Sequence, residues 1–179
     1  MIDADRFEAF VREYQDMVFA TAVRLLASSA EAEDVAQTVF LKAFERFDEV
    51  GRSPTVPGWL KTVTTNLCLN HLSRHRNRWR LFSELGPSDP GEPAFEDGLA
   101  SHDSPSKSLE TAERAARLQR ALDRLPDHQR VPLVLFHFEH RSYQEIAEWL
   151  GISLGKVKTD MHRGREALRR VLGCDDGPG

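Results

Sequence analysis

Cysteine is scarce in this chain, and so are the other features that mark secreted or membrane proteins. The two cysteines, Cys68 and Cys174, are far apart, and neither stands in a metal-ligand spacing. This excludes a disulfide framework and a zinc site, and it favours a reducing, cytoplasmic location. No apolar run approaches the ~20 residues that span a bilayer, and the acidic, amphipathic start MIDADRFEAF does not resemble a signal peptide.

Catalytic motifs are also missing. The sequence contains no phosphate-binding loop, no nucleophile elbow and no pair of carboxylates at a catalytic spacing. The seven histidines are scattered. His71 and His75 form a helical pair, but they stand among arginines and are better interpreted as phosphate contacts than as metal ligands. We therefore expect that the protein is not an enzyme and that it binds neither a metal ion nor a cofactor.

The distribution of charge is more informative than its sum. A formal net charge of −4 argues at first against a nucleic-acid partner. However, residues 71–80, HLSRHRNRWR, contain four arginines and no acid, and a second basic stretch follows Gly151. Two basic stretches on an acidic chain predict two nucleic-acid contacts and a separate surface for another partner.

Apolar residues recur at helical spacing over most of the chain, and no strand pattern occurs, so we predict an all-α fold. In the first half of the chain, this spacing predicts two helices, over about residues 5–27 and 28–47. A capping box of Ser28 and Glu31 opens the helix over 28–47. A third helix is predicted from near Pro57 into the arginine run. The predicted inward stripe of the second helix consists of Val35, Val39, Ala43 and Phe44.

Residues 83–106 interrupt this pattern. They contain four prolines, three glycines and six acids, with no lysine or arginine. Such a segment cannot bury enough apolar surface to offset the entropy lost on ordering, so we predict a flexible acidic linker. It would join two small helical domains, residues 1–82 and 107–173, and a short tail would follow over 174–179.

The second half predicts a helix from Lys107 and another from Pro126. Pro132 falls inside the latter and lacks a backbone donor, which predicts a kink or a later helix start. Ser142 and Glu145 then form a capping box that opens a short helix. Gly151 provides a tight turn, and Ser153 caps a second helix running to about Leu168.

Two short helices around a glycine-containing turn are typical of the helix-turn-helix motif. Val157, Met161 and Leu168 are predicted to face inward. The opposite side of this second helix is basic and polar, and its residues can supply phosphate contacts and hydrogen bonds to base edges. The less specific alternative is an amphipathic helical hairpin with a solvated charged face.

Taken in this order, these segments make the chain resemble the extracytoplasmic-function (ECF) sigma factors of the sigma-70 family, from Phe7 to Val171. Residues 32–48, AEDVAQTVFLKAFERFD, resemble the helix that binds core RNA polymerase. Residues 59–76, WLKTVTTNLCLNHLSRHR, resemble the segment that melts and reads the −10 promoter element. Residues 125–168 are similar to the domain that reads the −35 element.

The resemblance implies a sigma-2-like helical bundle and a sigma-4-like helix-turn-helix domain. It also implies an alternative sigma factor that binds promoter DNA and the β′ and β subunits of core RNA polymerase. Such factors are commonly controlled by an anti-sigma factor. The alternative interpretation is a free-standing helix-turn-helix regulator, although the first half shows neither an effector-pocket signature nor a heptad seam for a dimer.

The resemblance also assigns residues to each contact. The core polymerase-binding residues would be Asp34, Gln37, Phe40 and Leu41. The −10 contacts would be Asn66, Asn70, Arg74, Arg76, Arg78 and Arg80. The −35 contacts would be Lys156, Lys158, Thr159, His162 and Arg163.

Two positions depart from the family pattern. Asp160 stands where arginine is common, and we expect it either to repel phosphate or to accept a bond from a cytosine amine. Lys156 replaces a common threonine and would restore a positive charge near the helix start. The acidic linker allows two hypotheses: it is a solvated spacer, or its six acids imitate a phosphate backbone inside the polymerase.

Overall fold

The computed structural model describes residues 3–75 and 108–174, which fall into two compact units. Within these two ranges every regular element is a helix, which confirms the all-α prediction. The helices are α1 (Ala4–Leu26), α2 (Ser29–Glu45), α3 (Phe47–Val50), α4 (Val56–His75), α5 (Ser108–Asp123), α6 (Asp127–His137), α7 (Tyr143–Leu150) and α8 (Leu154–Cys174). The predicted linker lies outside the described residues.

The core of the first unit lies among α1, α2 and α4, since α1 packs against both other helices and α2 also contacts α4. Within α2, the predicted inward stripe is confirmed at Val35, Val39 and Ala43. Phe44, which we predicted in the same stripe, is instead 43% exposed. The fully buried side chains include Val18, Leu25 and Leu26 of α1 and Leu60, Thr64 and Cys68 of α4.

Local hydrogen bonds fix the helix ends of this unit. The Asp3 carboxylate caps α1 by accepting a bond from the amide of Asp5. At the start of α2, Ser28 Oγ accepts a bond of 3.3 Å from the amide of Glu31, which is the Ser28 half of the predicted capping box. We predicted one helix to about residue 47, but α2 ends at Glu45 and the single turn α3 follows it.

In the second unit α8 is the central helix, because α5, α6 and α7 all pack against it. The predicted inward residues Val157, Met161 and Leu168 are buried, and α8 continues beyond the predicted end to Cys174. They meet Val131, Val134 and Leu135 of α6 and Ile146 of α7 in one apolar core.

Pro132 lies inside α6 and does not delay its start. The helix begins at Asp127, directly after Pro126, and continues past Pro132 to His137, so the prediction of a later start is wrong. Pro132 gives up one backbone hydrogen bond at the sixth helical position. It is buried together with its neighbours from Arg130 to Leu135.

Candidate polymerase and DNA interfaces

The outward face of α2 is polar at its start and apolar towards its end. Asp34, Gln37 and Leu41 are exposed, and Leu41 is 64% exposed despite its aliphatic side chain. Phe40 is half-buried. Three of the four predicted polymerase-binding residues, Gln37, Phe40 and Leu41, line an open groove of about 880 Å³ between α1 and α2.

Most of the groove lining is apolar, whereas part of its rim is polar and acidic. The apolar lining comprises Phe7, Val11, Phe19, Ala36, Phe40, Leu41 and Phe44, and the polar residues are Gln15, Asp16, Glu33 and Gln37. Such a groove fits the apolar face of an amphipathic helix. The contribution of α1 was not predicted from sequence, because Phe7 and Val11 share the helical spacing of its other apolar residues and nothing in that pattern marks them as partly exposed.

Asp34 lies apart from this groove, at a smaller cavity of about 260 Å³ between α2 and α4. Thr38, Asn70, His71 and Arg74 also line this cavity. The structure thus brings one predicted polymerase-binding residue together with two predicted −10 residues. Residues of α2 therefore line two neighbouring cavities, a mainly apolar groove shared with α1 and a more polar cavity shared with α4.

The predicted −10 residues that the structure describes form one row along α4. Asn66, Asn70 and Arg74 follow each other at four-residue intervals, and all three are exposed. Two amides and a guanidinium on one helical face can donate and accept hydrogen bonds with bases and phosphates. Arg76, Arg78 and Arg80 lie outside the described residues.

The helix-turn-helix geometry follows from its local sequence. Ser142 Oγ accepts a bond of 3.1 Å from the amide of Glu145, and Glu145 Oε2 accepts one of 2.8 Å from the amide of Ser142. Gly151 ends α7 with φ of +66°, a conformation in which glycine is favoured. Ser153 Oγ then accepts a bond from the amide of Lys156. All three sequence predictions for this turn are confirmed.

Most of the predicted −35 residues occupy the accessible side of α8. Arg163 is exposed, and Lys158, Thr159 and His162 are partly exposed. Thr159 Oγ1 donates to the carbonyl of Gly155 at 3.0 Å, which leaves its methyl group and its remaining lone pair available. His162 Nε2 lies 3.4 Å from Glu166 Oε1. These side chains can contact phosphates and base edges in a major groove.

Asp160 and Lys156 are arranged differently from the sequence expectation. Asp160 is only 1% exposed, and its Oδ1 accepts a bond of 2.6 Å from Lys156 Nζ. The buried carboxylate is therefore not placed to accept a bond from a cytosine amine, and that expectation is wrong. The Lys156 ammonium is directed to Asp160 instead of outward. Sequence reasoning also missed His128 of α6, which interacts electrostatically with Asp160.

Comparison with known proteins identifies the family. Residues 10–78 match the model of Sigma-70 region 2, and residues 115–168 match that of Sigma-70 region 4. Every described residue of the predicted −10, −35 and polymerase-binding sets lies in these two ranges. No group of three or more metal-ligating side chains suited to a metal ion occurs among the described residues.

Individual relatives extend the match over nearly the whole chain. The ECF RNA polymerase sigma factor SigW of Bacillus subtilis is 32% identical over 170 residues, which cover 95% of this chain and 90% of that protein. The ECF RNA polymerase sigma factor SigE of Mycolicibacterium smegmatis is 36% identical over 93% of this chain and 61% of that protein. The chain therefore belongs to the ECF sigma factors of the sigma-70 family.

A solved structure supports the same fold. The sigma factor RpoE, in its complex with the anti-sigma factor NepR from Bartonella quintana, aligns with a TM-score of 0.52 and 24% identity. The alignment covers 94% of this chain and 98% of that chain. None of the helices that the structure describes is long and apolar enough to cross a membrane.

Proposed function

We propose that this protein is an alternative sigma factor that binds core RNA polymerase and directs transcription from promoters with specific −10 and −35 elements. The observation that carries the proposal is the combination of surfaces in one chain. An accessible, partly apolar α2 face and an accessible polar row on α4 lie in the first unit, and a helix-turn-helix with an accessible polar face lies in the second.

Polymerase binding is assigned to α2. Leu41 and Phe40 provide apolar area to be buried, while Asp34 and Gln37 provide polar groups that fix the register of the partner. The acidic groove rim at Asp16 and Glu33 favours a partner with basic residues flanking its apolar face. The family membership makes the β′ subunit the expected partner for this face.

Promoter opening is assigned to α4. Opening requires that bases leave the stack, which costs a few kcal/mol and is offset by hydrogen bonds and stacking in the bound state. The amide of Asn66 can both donate to and accept from an unpaired base. Asn70 and Arg74 extend the same face by two turns, and the arginines at 76, 78 and 80 would hold the upstream phosphates.

Duplex recognition is assigned to α8. Lys158 and Arg163 can reach guanine edges or phosphates, and the Thr159 methyl group can contact a thymine methyl. The protein acts without catalytic chemistry of its own, because core polymerase supplies the catalysis, and we expect it to work in the cytoplasm. The acidic linker remains a candidate phosphate mimic, which neutralising its acids and measuring abortive against full-length RNA would test.

Control by an anti-sigma factor is part of the proposal. The similar solved chain was crystallised with such an inhibitor. The α2 face offers an apolar surface that an inhibitor could occlude in competition with polymerase.

The test is run-off transcription with purified core polymerase, with and without this protein, on templates selected from a randomised promoter pool. We expect factor-dependent transcripts that share two sequence elements. Tight, selective binding to duplex DNA without polymerase, together with no binding to core, would instead support a free-standing regulator.

Two variants separate the assigned roles. Asn66→Ala should retain core binding but weaken reading of the −10 element by about 1–3 kcal/mol, the usual value of a well-made base contact. Gln37→Ala should weaken core binding and leave the preferred −10 sequence unchanged. If both variants lose core binding equally, the assignment of α4 to DNA is wrong.

A further inference from the structure

A buried charged cluster lies where α8 packs on α6. Asp160 is almost completely buried, and Lys156, one turn earlier, has only 17% of its side chain exposed. Lys156 Nζ donates to Asp160 Oδ1 at 2.6 Å. Asp160 Oδ2 is also buried and makes no hydrogen bond within the described part of the chain. His128 and Arg163 interact with the same carboxylate electrostatically.

Stabilisation of the helix does not account for this pair. A lysine in the first turn faces the positive end of the helix dipole, and a lysine preceding its acid by four residues is the less favourable order. Burying the carboxylate carries a desolvation penalty, which raises the pKa of Asp160 even though Lys156 acts in the opposite direction. A buried ion pair of this kind is weak evidence for a stabilising role, and its consequence lies in where the Lys156 charge is held.

That charge lies at the end of α8 that a helix-turn-helix presents to DNA. A free ammonium at this position would neutralise a phosphate regardless of sequence. In the structure the ammonium is bonded to Asp160, so the local net charge at this end of α8 is reduced. Lys158 and Arg163, by contrast, keep accessible side chains on the same helix.

We propose that Asp160 is a positioning residue that holds the Lys156 ammonium against α8 and away from the DNA phosphates. This inference rests on the proposed function of α8 as the −35 reader. Asp160 thereby lowers sequence-independent attraction and leaves recognition to Lys158, Thr159 and Arg163. The −35 preference of this protein depends on Asp160 through Lys156 and not through a bond from Asp160 to a base.

The test is the salt dependence of DNA binding by the holoenzyme, reconstituted from core polymerase and the full chain. Fluorescent duplexes with the selected promoter and with a scrambled −35 element serve as probes. Each phosphate that a protein cation neutralises steepens the plot of log K against log salt by about 0.9. A merely structural role of Asp160 would not change this slope.

Asp160→Asn should free Lys156, steepen the slope by about 1, and strengthen binding to the scrambled duplex several-fold more than binding to the promoter. The double variant K156Q/D160N, which removes both charges together, should keep the wild-type slope. Lys158→Gln removes an accessible lysine of the same helix for comparison, and we expect it to make the slope shallower by about 1.

Circular dichroism establishes that each variant retains its helical content. If Asp160→Asn does not fold, the double variant alone decides the question. A slope shallower than that of wild type in the double variant would mean that Lys156 already contacts phosphate, and this would overturn the proposal. An unchanged slope for a folded Asp160→Asn would overturn it too. Failure of the wild-type holoenzyme to select a −35 element would instead contradict the proposed function.

Discussion

Glu31 Oε1 lies 3.2 Å from His71 Nε2, which joins the first turn of α2 to the last turns of α4. Both side chains are partly buried. We had assigned Glu31 to a helix cap and His71 to phosphate contacts, each from its local neighbours. The structure shows that the two residues also link α2 to α4, beside the small cavity that Asp34, Asn70 and Arg74 line.

The contribution of this pair can be measured with Glu31→Gln, which keeps the shape of the side chain and removes its charge. A histidine forms an ion pair with a carboxylate only when it is protonated, so the effect is measured in mild acid. There we expect the free energy of opening of α2 and the end of α4 to fall by about 0.5–1 kcal/mol, the upper part of the range for exposed pairs. Hydrogen exchange of peptides from these helices is the measurement. The matched control is Glu8→Gln, which breaks an exposed pair with Arg12 and should have almost no effect. Equal effects of the two variants would show that the contact with His71 adds nothing to the free energy of opening.

Features fixed by adjacent residues could be predicted from sequence, and features fixed by distant contacts could not. The cap at Ser142, the turn at Gly151 and the cap at Ser153 depend on neighbours within four residues, and all are as predicted. The partner of Glu31 is 40 positions away in the sequence, so no local pattern reveals it.

Asp160 illustrates a different kind of error. It follows Val157 by three positions and therefore lies on the buried stripe of α8, so the helical spacing itself indicated burial. Its charge led us to place it on the outside. Phe44 shows the converse, since its apolar side chain suggested the core although the structure leaves it at the groove. In both cases residue type and helical position disagreed, and position was the better guide.

Gly164 permits the close packing of α8 on α6. A Cβ at this position would lie 2.7 Å from Leu133 Cδ1 and 3.3 Å from the carbonyl oxygen of Gln129. Overpacking of this kind costs about 1–3 kcal/mol, which we expect to exceed the ~1 kcal/mol of helix propensity that alanine gains over glycine. Gly164→Ala should therefore lower the unfolding temperature of the second unit, as measured by calorimetry with hydrogen exchange to assign the transition.

The control for this substitution is in the same helix. A Cβ on Gly155 would meet nothing within 4 Å, so Gly155→Ala, in the first turn of α8, should stabilise the helix by less than the ~1 kcal/mol of an interior position. We expect Gly164→Ala to lower the free energy of unfolding and Gly155→Ala to raise it. Stabilisation by both would mean that Leu133 moves aside without cost and that the close approach at Gly164 is not a constraint.

The contribution of His128 to the stability of the second unit should decrease in mild acid. Burial lowers the pKa of His128 below its ordinary 6.5, with Lys156 and Arg163 acting in the same direction and Asp160 and Asp127 opposing them. The unfolded chain then binds this proton more tightly than the folded chain. The contribution of His128 to the free energy of unfolding is therefore complete above pH 6.5. It is lost as the pH falls from 6.5 through the lower pKa that His128 has in the folded state.

Urea unfolding measured from about pH 8 to about pH 5.5, across the range in which histidine titrates, checks this sign. His128→Gln should flatten the decline in the free energy of unfolding over that interval. His140→Asn, which changes an exposed histidine in the turn before α7, should leave the decline in place. A decline that persists in His128→Gln would assign the acid sensitivity to another group.

Leu41 gives the sharpest test of the α2 face, because its exposure separates binding from stability. A leucine that is 64% exposed contributes little to the folded core, so Leu41→Ala should leave the unfolding transition nearly unchanged. If the groove receives an apolar helix of the polymerase, the same change should weaken core binding about 5- to 30-fold, as expected for an interface residue worth about 1–2 kcal/mol. Fluorescence titration of labelled protein with core polymerase measures this. Leu109→Ala is the matched control, since Leu109 is 77% exposed on α5 and does not line the groove. Equal, small effects of both substitutions would mean that polymerase does not bury the α2 face at Leu41.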